Sequence, residues 1–437
     1  AKDGNTDMAL LFTHTFRWWV RARPNHVALV VEDEELTYRE LDRWTNGVAH
    51  WLMDRHGVRP GDMVAIVGDN SMEWCIAGIA LLKIGAIIAP ANTRYPPNEL
   101  EYFIRNTTPR FALADDGQIP KLRAVPDLGP ALNVIPMSAV NDLREGDHPP
   151  VHVEISPKDP ALILYTSGTT GQPKGIVHTN EMILSPDDTS MILTIPLFTA
   201  AGLYHGITRM LGRGGKFILM RQFEPRRAFE LIIRHRVLQF GGTPVIWEQM
   251  EKLLPEVEGH DFSHLRFAMV GGGRLSDRLI ANFLRHGIAI RLAYGLTEAG
   301  GTVSFPRAED VAAYPGTAGD GGVFTEIKAA RPDGETCCPG EVGELMIRGP
   351  FTMPRYWNEP EKTAAVFDGE WLHSGDIGTL DEAGRIRFVD RISNLIQSGG
   401  RQISPNMIET ALEQLPGLTE IAVVAVPDAA LGHKAVA

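Results

Sequence analysis

Residues 165–175 read YTSGTTGQPKG, and nearly every position suits the holding of a polyphosphate. Tyr165, Thr166, Ser167, Thr169 and Thr170 bring hydroxyls for hydrogen bonding. Gly168, Gly171 and Gly175 let the backbone approach an anion closely, and Lys174 adds a point charge. LILY (162–165), ahead of the loop, reads as a buried strand, so the loop leaves the end of a sheet, where α/β proteins bind ligands. It is not a Walker loop, which needs the spacing G-x-x-x-x-G-K-[ST]. The alternative is a Ser/Thr/Gly surface turn, since such clusters are the ordinary loop signal. The order of the residues decides against that turn.

The chain has 437 residues, too many for one core, and about three units are expected. Hydrophobic residues at 44% and charged residues at 22% describe an ordinary globular composition. A formal net charge of −12 argues against nucleic acid or an anionic membrane as partner. Any polyphosphate must therefore be held by local donors. The three cysteines, Cys75, Cys337 and Cys338, have neither C-x-x-C nor zinc spacing and read as reduced thiols. No metal-ligand cluster stands out among the 14 histidines, and His264 and His373 read as isolated structural or surface residues. The N-terminal AKDGNTDMALLFTHTFRWW carries acidic residues early and no small-residue cleavage site, unlike a signal peptide. WCIAGIALLKIGAIIAPAN (74–92) is interrupted by Lys83 and stops at Pro90. It reads as a buried helix running into a strand rather than a membrane span. A cytoplasmic location is the expectation; the oligomeric state stays open.

Strand runs alternate with helical patterns over the first two-thirds. In LTYRELDRWTNGVAHWLM (36–53), Thr37 with Glu40 three residues on forms a capping-box pattern. MVAIVG (63–68), FALAD (111–115), GKFILM (215–220), FAMVGGG (267–273) and IAIRLAYG (288–295) read as strands. ELEYFIRNT (99–107) and PRRAFELIIRHR (225–236) read as helices. This succession implies parallel sheets covered by helices. The Pro-, Asp- and Gly-rich stretch 117–158 reads as the connection into the phosphate loop. From about Gly319 the texture changes to short strands and turns, as in VGELMIRG (342–349) and GRIRFVD (384–390), which looks like a small antiparallel barrel or sheet. After Arg391 come one helix, NMIETALEQL (406–415), and one strand, EIAVVAVPD (420–428), hardly enough for a core. A truncated end is the expectation there.

Four more segments accompany the loop. They are GGGRL (271–275) and YGLTE (294–298), each following a strand, then WLHSGDIG (371–378) with FVDR (388–391), and SGGRQISP (398–405). A triple glycine alone is as readily a tight turn, Y-x-x-T-E a helix N-terminus, and Arg391 a surface ion pair with Asp390. Together, in this order, the five segments resemble the adenylate-forming superfamily, which holds acyl-CoA synthetases, peptide-synthetase adenylation domains and luciferases. The resemblance covers almost the whole chain. It implies an α/β fold: residues 1–391 as a large adenylation domain of two helix-covered, mostly parallel sheets plus a small β-barrel, and 392–437 as the start of a small, truncated α+β lid domain.

The resemblance also implies site roles. Thr166, Ser167, Gly168, Thr169, Thr170 and Lys174 would hold the phosphates, with Gly272, Gly273 and Arg274 beside adenine. Ala293, Tyr294, Gly295, Leu296 and Thr297 would flank adenine and the α-phosphate, and Glu298 would hold Mg²⁺. Asp376 and Arg391, with Phe388, would reach the ribose. Thr166, Lys174, Thr297 and Glu298 are the implied catalytic set. The carboxylic acid is expected among Phe198, Thr199, Leu203, Tyr204, Val245, Ile246, Gly271, Gly295, Ala299 and Gly300, a lining that suits an aryl or alkyl acid; for Phe198 and Leu203 a plain core position is the alternative. The implied reaction makes an acyl-adenylate from acid and ATP, then a thioester with CoA, using ATP, Mg²⁺ and CoA. Transfer to a carrier-protein arm or an amine is the second reading, and a nucleotide-binding protein without catalysis the third.

The chain departs from the family pattern in two regions, around 195–202 and from the hinge onward. Thr199 follows Phe198 in IPLFTAAG (195–202), where many CoA ligases have His. No Asp occurs between Ile192 and Gly206 to pair with an α-amine, which argues against an amino acid substrate. Ser393 and Asn394 replace the charged hinge residues after Arg391. The family's catalytic lysine belongs to a segment beyond this sequence, so weak adenylation by the chain alone is expected.

Overall fold

The computed structural model describes residues 11–125, 132–166, 172–184, 191–193, 195–199, 202–273, 275–412, 415, 418 and 421–437. The chain divides into two compact units, residues 1–290 with 353–360, and residues 291–352 with 361–437.

The first unit holds two sheets. One runs in the order Asn133–Pro136, Phe111–Ala114, Met63–Val67, Ile87–Pro90, Pro160–Thr166, Lys174–Thr179. Its strands are parallel except the last, which turns back antiparallel on its neighbour. In the other sheet, Phe267–Val270, Gln239–Gly242, Met191–Leu193, Phe217–Leu219 and Val27–Val31 pair in parallel, and Glu34–Thr37 closes the edge antiparallel. The last of that sheet's seven strands, Ile290–Leu292, carries the chain into the second unit. The mostly parallel sheets expected from the sequence are therefore present.

Helix Met72–Ile84 is buried along its whole length, as a helix apolar on all sides must be. It starts at Ser71, whose hydroxyl accepts from Trp74 N–H, and stops at Gly85 in the left-handed region (φ 76°). One core cluster joins it to Leu29 and Val31 of one sheet and to Val64, Ile66 and Ile88 of the other. The helix is thus the filling between two sheets, and this accounts for its membrane-like composition. No helix among the described residues is long and apolar enough to cross a membrane. Helix Tyr38–Arg55 begins with the capping box read from the sequence, Thr37 and Glu40 each satisfying the other's backbone N–H.

Two expectations change. The stretch 117–158 is more than a connection: it contains helix Ile119–Arg123, the edge strand Asn133–Pro136 and a 3₁₀ turn, Met137–Leu143. The single strand expected over 288–295 is two, Ile290–Leu292 and Tyr294–Leu296, with different partners. Gly295 explains the second pairing, since it packs so closely on Gly301 that a Cβ there would lie 1.9 Å from the Gly301 carbonyl oxygen.

In the second unit, Tyr294–Leu296 forms a hairpin with Gly301–Ser304. An antiparallel sheet joins Glu326–Ala330, Gly343–Arg348 and Trp371–Leu380; both Phe367–Asp368 and Ile386–Arg391 pair with Trp371–Leu380. A four-stranded sheet (Arg401–Ile403, Ile396–Ser398, Gly432–Val436, Val424–Asp428) accompanies helix Pro405–Leu412.

Candidate active site

In the first unit, the phosphate-type loop joins two antiparallel strands, so it is the mouth of a hairpin on the sheet's edge. Thr166 faces Lys174 and Tyr165 faces Gly175 in register. Ser167, Gly168, Thr169 and Thr170 lie outside the described residues. A side chain at Gly175 would press on Ile163 and the Tyr165 ring at 3.0 Å, which favours glycine there.

The outer edge of Lys174–Thr179 is covered by a short strap. Val177 N–H donates to Arg355 O (3.2 Å), Trp357 N–H donates to Gly175 O (2.6 Å), and Ile176 and Tyr356 form a bridge. The Lys174 ammonium lies 5.0 Å from the centre of the Tyr356 ring. Behind the hairpin, the Tyr165 hydroxyl donates to Asn106 Oδ1, while Trp357 Nε1 (3.1 Å) and Asn358 Nδ2 (3.2 Å) donate to Asn106 O. The sequence reading missed Asn106, Tyr356 and Trp357. Asn106 lies far from the strap in the chain, and the strap is too short to show a strand period.

Gly271 and Gly272 extend from the end of strand Phe267–Val270. Gly272 has φ 75°, and a Cβ at either would meet nothing within 4 Å. This leaves an open, flat backbone edge against which a planar ring can lie. Gly273 is close to Pro244, and Arg274 lies outside the described residues. On the helix that follows, Pro244–Glu251, Val245 is exposed and Ile246 part-buried. Phe198 and Thr199 are part-buried. The Thr199 hydroxyl is used locally: it donates to Pro196 O (2.8 Å) and accepts from Gly202 N–H (3.1 Å). This turn opens a π-helix, Leu203–Met210, a form that recurs at functional sites. Leu203 is fully buried in the core cluster; the Tyr204 side chain lies outside what the structure describes.

The second unit brings four predicted residues together. Asp376 is buried and stands opposite Arg391 in the register of their strands. Arg391 Nε lies 3.3 Å from Asp376 Oδ1, and the Tyr294 hydroxyl donates to Oδ2 (3.1 Å). The Phe388 ring is 6.4 Å from that of Tyr294. Burial pushes the Asp376 carboxyl above the usual carboxylate range, against the pull of Arg391 and the Tyr294 hydroxyl; Glu298 and Glu344 add to the rise. Burial, then the neighbouring Asp376 charge, also raises the Tyr294 phenol.

The Arg391–Asp390 side-chain pair does not form. Asp390 instead accepts from the Ser404 hydroxyl (2.6 Å), Asn406 N–H (3.2 Å) and Asn394 Nδ2 (3.3 Å), so the hinge-region Asn394 has a structural task. His373 is not isolated: its Nδ1 lies 2.9 Å from Glu344 Oε2, and Glu344 Oε1 accepts from Gly375 N–H (3.1 Å). Glu344 thus holds the turn before Asp376, a role with no local signal in the sequence.

Thr297, Glu298 and Ala299 form the 3₁₀ turn between the strands of the small hairpin, ending at Gly300 with φ 79°. Ala293, Leu296, Thr297 and Glu298 are part-buried, Gly295 is exposed, and Ala299 and Gly300 are buried. Among the described residues no cluster of three His, Cys, Asp or Glu side chains could hold a metal by itself. One carboxylate, Glu298, suits Mg²⁺ that takes its remaining ligands from phosphates and water.

Lastly, Gly399 and Gly400, at φ 55° and 78°, form the two-residue turn between Ile396–Ser398 and Arg401–Ile403, as a primed hairpin turn requires.

The profile of the family described as AMP-binding enzyme matches residues 16–357. Feruloyl-CoA synthase of an Amycolatopsis species is 33% identical over 431 residues, covering 94% of this chain and 85% of that protein. The long-chain-fatty-acid–CoA ligase FadD13 of Mycobacterium tuberculosis is 31% identical over 423 residues, covering 93% and 83%. Among solved structures, o-succinylbenzoate CoA synthetase (MenE) of Bacillus subtilis, in complex with its acyl-adenylate intermediate, superposes with a TM-score of 0.85 at 27% identity, covering 96% and 87%. The chain belongs to the AMP-binding enzyme family of the adenylate-forming superfamily.

Proposed function

We infer that the chain is an AMP-forming acid–thiol ligase using ATP, Mg²⁺ and CoA. A carboxylate oxygen of the acid attacks the α-phosphorus of ATP and pyrophosphate leaves. The CoA thiol then attacks the acyl carbon and AMP leaves. The protein's part is positioning and charge neutralisation, and no side-chain nucleophile is required. The observation that carries this reading is the buried Asp376 carboxylate, held from one side each by Arg391 and Tyr294. Two contacts leave acceptor capacity on both oxygens, enough for a vicinal diol such as a ribose.

The residue roles are part of the same proposal. Thr166, Ser167, Gly168, Thr169, Thr170 and Lys174 take the leaving pyrophosphate, and Thr297 the α-phosphate. Glu298 shares Mg²⁺ with the phosphates; the ion neutralises charge on the departing group. Gly271 to Arg274 have a part in adenine binding, Ala293 to Leu296 another, and Phe388 supports the ribose end. An aryl or alkyl acid, the chemistry named in the feruloyl and long-chain-fatty-acid relatives, occupies the region of Phe198, Thr199, Leu203, Tyr204, Val245, Ile246, Ala299 and Gly300. Residues 1–391 serve as the adenylation domain and 392–437 belong to its lid, working in the cytoplasm without nucleic acid.

The test is a panel of hydroxycinnamic, benzoic and straight-chain acids with MgATP, scored by pyrophosphate release. In parallel, the corresponding acyl-adenylates are supplied with CoA, a pantetheinylated carrier protein or an amine, so the second step is read without the first. Thioester formation with CoA from at least one adenylate is expected. Turnover confined to carrier or amine would replace the acceptor, and no nucleotide binding at all would end the reading.

A further inference from the structure

The strap at Arg355–Trp357 does more than cover a strand edge. It places the Tyr356 ring, itself 4% exposed, under the Lys174 ammonium at 5.0 Å, within the range of a cation–π contact. Among the described residues no carboxylate forms an ion pair with Lys174, although the chain carries 54 acidic residues. The difference in partner matters for a cation meant to meet phosphate. A carboxylate would neutralise the ammonium and would have to be displaced by the polyphosphate. A ring face orients the charge, leaves its N–H donors free and carries no competing negative charge.

The strap itself is fixed at three points. Its backbone bonds to both Gly175 and Val177, and the Trp357 indole ties to Asn106, whose side chain holds Tyr165 on the facing strand. Both strands of the hairpin mouth are therefore anchored, and the ring cannot drift from the lysine. We propose that Tyr356 is a positioning residue for ATP binding, holding the Lys174 ammonium at its ring face, without a neutralising carboxylate, to receive the polyphosphate. This rests on the reading of Lys174 as a phosphate ligand. A long, flexible lysine otherwise loses rotamer freedom on binding; a preoriented one has lost it beforehand.

The experiment measures equilibrium affinity for MgATP in the full chain. Tyr356→Leu should weaken binding about three- to tenfold, and Tyr356→Phe, which keeps the ring, should restore it to within about twofold. In a Lys174→Met background, Tyr356→Leu should add nothing, because the ring acts through the lysine. Replacing Tyr356 by phenylalanines of increasing fluorination preserves shape while draining the ring face of negative potential, so affinity should fall step by step even if Tyr356→Leu does not fold. A full, additive effect of Tyr356→Leu in the Lys174→Met background would overturn the positioning role, as would a flat fluorination series. If Lys174→Met itself binds MgATP like the unaltered chain, the phosphate role of Lys174 fails, and this proposal with it.

Discussion

Lys83 shows how a residue that looks like a defect in a sequence pattern carries a structural function. In the sequence it only interrupts an apolar run. In the fold its ammonium donates to Asp42 Oδ1 and Asn46 Oδ1, both at 2.7 Å, and to Asp42 O at 3.1 Å. Burial lowers its pKa to about 8 against the opposing pull of Asp42. Lys83→Ala leaves the Asp42 carboxylate short of its partner inside the fold, and a loss of about 3 kcal/mol is expected in urea unfolding. The pH dependence has a definite sign. Between the folded value and the unfolded one of about 10.4, the unfolded chain binds more protons, so stability rises with pH across that window and falls as pH drops through the folded value. That component of the rise should be absent in Lys83→Met. At the nucleotide end, Asp376→Asn keeps the shape but removes the charge. Hydrogen bonds to charged groups are worth about 1.5–3 kcal/mol each, so MgATP affinity should drop at least about tenfold, with circular dichroism unchanged. Unaltered affinity would remove Asp376 from the ribose site.

At the scale of elements, glycines divide into two kinds that the sequence writes identically. Gly272 has room for a side chain but sits in the left-handed region; Gly295 meets the Gly301 carbonyl at once. Gly272→Ala should therefore cost about 1 kcal/mol through backbone conformation alone. Gly295→Ala should force the 294–304 hairpin apart, costing more stability and abolishing MgATP binding; equal effects would mean that contact distance is not what selects Gly295. Local signals were legible wherever both partners lie within a few residues. Thr37 and Glu40 announce their capping box, and the apolar run 74–92 announces a buried helix running into a strand; the stop at Gly85 comes from the structure. The Asp376–Arg391 pair was legible only as two motif residues. Their meeting depends on the antiparallel register of Trp371–Leu380 with Ile386–Arg391. Glu344, Asn106 and Tyr356 were not legible, because their partners come from strands and loops far away in the chain. Motifs mark the residues proposed to bind the nucleotide; the residues that hold those motifs in place leave no comparable trace.

The whole molecule joins a unit of two sheets around one buried helix to a second unit with its own buried strands, including Leu345, Met346, Ile347, Leu372 and Ile386. Separate cores are the usual basis for departures from two-state unfolding. Calorimetry of the full chain should therefore give a calorimetric enthalpy larger than the van't Hoff value. The predicted ligands divide between the units, Lys174 in the first and Asp376 in the second. MgATP at about 100 times its Kd should stabilise the native chain by about 2.7 kcal/mol, and either Lys174→Met or Asp376→Asn should reduce that gain at the same nucleotide concentration. A substitution that leaves the shift unchanged would remove its residue from the nucleotide-binding set. A loss of the gain in both, with the unliganded transitions unmoved, is the expected outcome and gives each residue a part in holding MgATP.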